Sequence, residues 1–493
     1  MTRSLFSNTG KVLGLLLLTY LALLIPDRDP SVFVRTTPSA KSPFAWNQDP
    51  FWEQLEASFV AARGMDSAVR VAAIQESLQN LSREVDRCDA ESLSPADSIF
   101  RRMEEIVFRV SPLVAVTPSR FIRFAGELLW MRDAVKRQAQ RWDMNNQEAR
   151  ITLYRLLYGS RSALEEVMLQ LPREEQLPLM AGVDEPSACP AASLLGVRVR
   201  SGDILLSRGG APTSALIARG NDFPGYFSHV ALVHVDSATG SLTLVESHIE
   251  RGVTLSTPGE YLHDRKLRML VLRLRHDLPA VRKEPRLPHR AADDALAAAR
   301  SAHIPYDFAM DYRDTTALFC SEVASRPYRK LGVELWSGLS HISTPGLQRW
   351  LAGFGVRNFV TQQPSDLEYD PQLRIVAEWR DTGTLQKDHI DDAVTEAMLE
   401  GAERGDELAY AWYELPIARL ARWYSMILNA FGEIGPVPEG MSATSGLRHR
   451  TYAARHDAAV ARVKNDVQAF VREQNYQPPY WRLLAMARRA LGD

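Results

Sequence analysis

The sequence predicts an α+β protein: an antiparallel sheet unit with helices at its edges, flanked on both sides by α-helical regions. Three observations lead there. On either side of the middle of the chain, apolar residues recur at steps of three and four, the spacing of one helix face. Between about residues 200 and 275 the period shortens to that of strands, with turn residues between the runs. These strand candidates follow one another directly instead of alternating with helices, which favours antiparallel pairing over a parallel βαβ sheet.

The N-terminal segment, residues 1–30, has the layout of an export signal. Arg3 and Lys11 precede an apolar run of 14 residues, Val12 to Ile25, which Pro26, Asp27, Arg28 and Asp29 stop. The run is short for a span of about 20 residues. Neither a small-x-small cleavage site nor a lipid-accepting cysteine follows it. The expectation is an uncleaved anchor in a bacterial-type inner membrane, with the positive end inside and the bulk of the chain periplasmic or otherwise extracytoplasmic.

Residues 31–190 read as a Ser/Thr/Pro-rich linker, Pro30 to Pro43, followed by a helical region. Phe51, Trp52, Leu55, Phe59 and Val60, then Ile106, Val107 and Val110, then Phe121, Phe124, Leu128, Leu129 and Met131 carry the helical period. The charges of this region read as solvated helix faces. A loop rich in turn residues, Pro172 to Pro190, ends it.

Residues 196–360 hold the α+β unit. Asp203 to Ser207 follows a Ser201-Gly202 turn, and Thr213 to Ala218 has the length of a short helix. Strands are expected at His229 to Val235, Ser241 to His248, Val253 to Ser256 and Leu267 to Leu274. The turn Asp236 to Gly240 makes a hairpin of the first two of these. A helix over Ala291 to Ala302 and another beginning near Cys320, which Pro327 ends or kinks, complete the unit. Residues 361–493 are expected to be helical over Asp391 to Gly405, Glu407 to Asn429 with a break at Pro416, and Tyr452 to Gln474. Trp412, Tyr413, Trp423 and Tyr424 read as core packing or docking onto the α+β unit.

Composition narrows the function. The chain has 493 residues, of which 45% are hydrophobic and 24% charged, enough for several domains. A formal net charge of -2 shows no clustered basic excess, so nucleic acid is not an expected partner. The three cysteines are Cys88, Cys189 and Cys320. In an oxidising compartment Cys88 and Cys189 are able to pair, leaving Cys320 as the odd thiol, although spacing alone does not establish that pairing.

Cys320 is the centre of the candidate chemistry. It follows a loop containing Asp311, Asp314, Thr315 and Thr316 and precedes Glu322-Val323-Ala324, which places the sulfur at a helix start. Free N–H groups there, with a nearby imidazolium, lower a thiol pKa from near 8.5 to about 3.5 to 7.5. The same N–H groups serve a developing oxyanion. His229 opens an apolar strand, a well-held and reachable position for a general base. Glu246 lies mid-strand, where a carboxylate needs a partner. Across a hairpin it orients His229, although His248 and Glu250 compete if the register slips by two. Metal binding by His229, His234, His248 and Cys320 lacks any Cys-x-x-Cys, His-x-x-x-His or HExxH spacing, so neither metal nor cofactor is expected.

In order along the chain, Gly202-Asp203-Ile204-Leu205, Phe227-Ser228-His229-Val230-Ala231, Val245-Glu246, Gly252-Val253, Pro305-Tyr306-Asp307 and Cys320-Ser321-Glu322 resemble the circularly permuted NlpC/P60 papain-like hydrolases of the YiiX/YebB type. In that family the strands bearing His and the third polar residue precede the helix bearing Cys, as they do here. The resemblance covers roughly residues 196 to 345. It implies a permuted papain-like fold with Cys320 as nucleophile, His229 as base and Glu246 as third residue. Tyr306, Ser228 and Ser321 are the substrate-binding candidates. It further implies hydrolysis of an amide or ester bond, with cell-wall peptide or lipid-linked acyl groups as substrates. Acyl transfer by the same thiol, and a non-catalytic envelope scaffold or binding module, stay open at this point. The long Asp307 to Phe319 stretch and the two helical additions depart from the family pattern.

Overall fold

A computed structural model describes residues 14–15, 17–27 and 50–492. The linker and the first part of the apolar N-terminal run lie outside them. Among the described residues, no helix is long and apolar enough to cross a membrane.

The N-terminal region is helical: α1 (Pro50–Gly64), α2 (Ser67–Ala90), α3 (Ser98–Ala115), α4 (Phe121–Ala139) and α5 (Gln147–Gln170). Short polar side chains fix three of the starts. Asp66 accepts from the amides of Ala68 and Val69, Asp97 from Ile99 and Asn146 from Glu148, satisfying donors that a helix leaves free at its N-terminus.

Next come β1 (Leu179–Ala181), β2 (Ala191–Leu194), β3 (Val197–Arg200), β4 (Ile204–Gly209), α6 (Pro212–Arg219), β5 (His229–Val235), β6 (Leu242–His248), β7 (Gly252–Ser256), α7 (Pro258–His263) and β8 (Lys266–Leu274). Then follow α8 (Pro279–Lys283), α9 (Leu287–Ser301), α10 (Glu322–Lys330), β9 (Ser340–His341), α11 (Pro345–Phe354), β10 (Val360–Thr361) and β11 (Leu373–Arg380). The chain closes with α12 (Leu385–Arg404), α13 (Leu415–Ala430), α14 (Ala443–Gln474) and α15 (Tyr480–Leu491). Pro327 sits inside α10 without ending it.

The protein is therefore a mixed helix and antiparallel-sheet structure. Its main sheet has 7 strands in the order β1-β11-β8-β4-β5-β6-β7. Every neighbouring pair runs antiparallel. The β5–β6 hairpin forms at the expected turn, where Asp236 accepts from the amides of Ala238 and Thr239 and Gly240 takes φ 72°. Two strands, β1 and β11, come from outside residues 196–360, and β11 falls where the sequence reads as helical.

Strand alternation divides the core. Leu206, Val230, Leu232 and Val245 face the layer that includes α9 and α10, whereas Leu205, Ala231, Val233 and Leu244 face the β2–β3 hairpin. Gly202 lets the start of β4 approach α9. A Cβ there would stand 2.4 Å from the Pro288 Cβ, and the Gly202 carbonyl accepts from the Tyr328 hydroxyl at 2.5 Å.

Two expectations need correction. Charges of the N-terminal helices are not all solvated: Arg132, Lys136, Arg161 and Glu165 are buried. Arg132 reaches Glu378 at 2.8 Å, Arg161 reaches Glu378 at 2.6 Å, and Arg268 joins Glu165 at 2.7 Å to Asp388 at 2.6 Å. Their partners lie far along the chain: the arginines and Glu165 meet opposite charges, whereas Lys136 donates to the Glu368 and Asp370 carbonyls. Second, Trp412, Tyr413, Trp423 and Tyr424 are exposed rather than packed in the core. The pairing of Cys88 and Cys189, which spacing leaves open, is not made: all three cysteines are free.

Candidate active site

Cys320 lies two residues before α10, at the end of a loop tied to the sheet. The Ser247 hydroxyl donates to the Leu318 carbonyl at 2.7 Å, and the Leu318 amide donates to the Pro305 carbonyl at 3.0 Å. Glu322 turns back to accept from the Phe319 amide at 3.1 Å. Asp307 accepts from the amides of Ala309 and Asp311, which fixes the bend after Tyr306.

The β5–β6 ladder places Ala231 opposite Glu246, so His229, Glu246 and His248 stand on one face. His229 Nε2 is 2.9 Å from Glu246 Oε2, and His248 Nε2 approaches the same oxygen at 3.5 Å. The two imidazole centroids are 5.1 Å apart. Burial works against the charged form of Glu246, but the hydrogen bond from His229 and the proximity of His248 outweigh it and hold the carboxyl well below the usual range. Burial also lowers the pKa of His229 despite Glu246 beside it. Glu246 Oε1 has no hydrogen-bond partner among the described residues.

The Cys320 sulfur is 5% exposed in its residue and lies 4.0 Å from the carbonyl oxygen of Ser228, the residue before His229. Its thiol contact is to that carbonyl and not to the imidazole. Burial pushes the thiol up to about 11, against the opposing influence of the Val230 amide, the Ser321 hydroxyl and the Ser321 and Cys320 amides. The lowered thiol pKa expected from a helix start is thus reversed, because removal from water outweighs the nearby dipoles.

The candidate substrate-binding residues separate. Tyr306 lines the same cleft as Cys320, with its ring 4.9 Å from that of Phe308. Ser228 points its hydroxyl toward the Ser207 carbonyl, at 3.5 Å, and meets the sulfur only through its own carbonyl. Ser321 is buried beside the sulfur, and its hydroxyl has no hydrogen-bond partner among the described residues. Asp203 serves the fold, accepting from Arg273 and from the Arg200 amide, each at 2.8 Å.

The cleft at Cys320 has a mainly apolar wall. Ile217, Phe308, Phe319, Leu351, Phe354 and Met441 supply much of it, and His449 stands at its edge. Residues 351, 354, 441 and 449 lie outside the stretch that carries the site motifs or in the C-terminal helices, so no local signal marks them as site residues. His248 had one: Glu246-x-His248 on a strand puts both side chains on one face.

Two groups have ligand geometry for a cation. His229, Glu246 and His248, and separately His234, His289 and Asp293, each bring their ligand atoms within 4.8 Å of one another. In the first group the carboxylate is hydrogen-bonded to His229 and approached by His248, which suits positioning of a base as well as metal binding. No family model, curated protein or solved structure matches the chain.

Proposed function

We propose that the chain is a cysteine hydrolase built on a circularly permuted papain-like unit of the NlpC/P60 type, cleaving an amide or ester bond of an acyl group. One observation carries this reading. The Cys320 sulfur meets the backbone immediately before His229, while His229 Nε2 is held by Glu246 and an apolar cleft opens at the sulfur.

The pKa directions favour a resting pair of neutral thiol and neutral imidazole. A raised thiol and a lowered imidazole both oppose an ion pair, so proton transfer accompanies attack. With Nε2 held by Glu246, Nδ1 takes the thiol proton. Sulfur bonds to the acyl carbon, and the bond to the leaving amine or alcohol breaks as that group takes the proton. Water then hydrolyses the thioester by the reverse proton path. The Ser321 hydroxyl and the amides around the sulfur supply dipoles for the developing oxyanion.

The apolar cleft wall favours a lipid-linked acyl chain over a cell-wall peptide. The N-terminal apolar run fits an extracytoplasmic enzyme anchored at the inner membrane. Hydrolysis of a long-chain fatty-acyl amide by the wild type and by Cys320→Ala tests the reading: activity retained in the variant would exclude it.

A second reading, a non-catalytic module that binds an apolar ligand, is favoured by the buried thiol and its contact with a carbonyl rather than with the imidazole. Iodoacetamide separates the two. In a catalytic unit Cys320 labels faster than Cys88 and Cys189 in the folded protein, and in a binding module it does not.

A further inference from the structure

Helix α13 presents its apolar side outward. Ile417, Leu420, Tyr424, Ile427 and Phe431 fall at i, i+3, i+7, i+10 and i+14, one face of a helix, and are 54% to 80% exposed. Its inner side is supplied by small or modest groups such as Ser425, whose hydroxyl accepts from the Val437 amide at 2.9 Å. From Leu415 to Gly432 there is no acidic residue, and Arg419 and Arg422 are the basic ones. Trp412, Tyr413 and Trp423 are exposed around it. A contiguous exposed apolar face rimmed by Trp, Tyr and Arg marks an interaction site.

The face continues into the N-terminal apolar run. Arg419 donates to the Ala22 carbonyl at 3.0 Å and also reaches the Ile25 carbonyl. Asp27 accepts from the Thr444 hydroxyl at 3.0 Å, pinning the end of the run beside the start of α14. Leu15, Leu17, Leu18, Leu21 and Ile25 are exposed there. Two outward-facing apolar elements thus meet at Arg419.

We infer that α13 lies in the membrane interface as a second point of contact, its apolar face in a lipid bilayer beside the N-terminal run. The run is short for a span, and an interfacial helix sinking about 5–10 Å adds the buried apolar area that it lacks. Interfacial Trp and Tyr and the arginines facing anionic headgroups suit this environment. Bilayer contact stands apart from the chemistry at Cys320; only its consequence for substrate rests on the hydrolase reading. The loop after α13 supplies Met441 to the cleft, so an acyl chain leaving the bilayer would enter close to that wall.

The test uses the full chain carrying Cys320→Ala and Ile427→Cys, labelled with an environment-sensitive nitrobenzoxadiazole dye. It is reconstituted into phosphatidylcholine/phosphatidylglycerol vesicles with or without spin-labelled lipid. Residue 427 is already exposed, and circular dichroism confirms that the labelled chain is folded. Bilayer contact predicts a blue shift on reconstitution and quenching by the spin-labelled lipid, with neither at a dye on Ile122→Cys, an exposed site on α4. Water-like emission at position 427 in vesicles overturns the inference. So does a blue shift that appears without lipid and grows with protein concentration, which would assign the face to a second copy. Neither readout depends on turnover, so loss of the hydrolase reading leaves the result interpretable.

Discussion

His229 Nε2 and Glu246 Oε2 stand 2.9 Å apart across the β5–β6 pair, in a register that sets Ala231 opposite Glu246. The carboxylate thereby engages one imidazole nitrogen; in the mechanism we propose, the other, Nδ1, takes the thiol proton. Replacing His229 by Ala should lower kcat by about 10² to 10⁴, the usual contribution of a positioned base. Glu246→Gln keeps the shape but weakens imidazole orientation, and should lower kcat with little change in KM. Steady-state kinetics on an acyl ester check both. Equal losses in KM alone would assign these residues to binding.

The pH profile follows from the two directions of shift. A base with a lowered pKa stays neutral to lower pH, so the acid limb of kcat/KM should fall below the ordinary imidazole value of about 6.5. In the unliganded protein, alkylation of Cys320 should accelerate as the pH rises toward about 11. Cys88, pushed up to about 12, should follow at higher pH. Site-resolved mass spectrometry after pulses of iodoacetamide reads this order. A Cys320 rate that is already maximal at neutral pH would mean a resting thiolate.

Arg161 joins Glu368 and Glu378 in a fully buried cluster that ties α5 to β11. Arg161→Met leaves two carboxylates without that partner and should destabilise the protein by about 3–5 kcal/mol. Thermal or urea unfolding measures it. A loss below about 1 kcal/mol would show that Arg132 and Arg380 compensate.

Ile217 lines the cleft from α6. Ile217→Trp should shorten the acyl chain that fits, raising KM for a long-chain ester by about tenfold or more while an acetyl ester is turned over as before. A uniform loss on both esters would place the reacting acyl chain elsewhere.

Much of the central sheet was legible because its signals are local. A short apolar run gave β5, an extended stretch gave β6, and Asp236 and Gly240 gave their turn. Cys320, His229 and Glu246 could be read as a group because their motifs occur in order along the chain. What was not legible depends on distant partners. Arg161 reads as a surface charge until Glu368 and Glu378 are folded against it, more than two hundred residues later. The β11 strand pairs with β8 and β1, contacts that its own sequence does not specify. Leu351 and Phe354 on α11 and Met441 before α14 become cleft residues only when these distant segments fold against Cys320. The thiol pKa was misjudged for the same reason, since the burial that raises it comes from elements remote in sequence.

The most direct test of the central claim is intact-protein mass spectrometry after acid quenching of a brief incubation with a long-chain p-nitrophenyl ester. The account predicts one acyl group per chain, mapped to Cys320, absent from Cys320→Ala and slower to form in His229→Ala. Ester hydrolysis by Cys320→Ala at the wild-type rate, or an acyl group mapped to another residue, would contradict it.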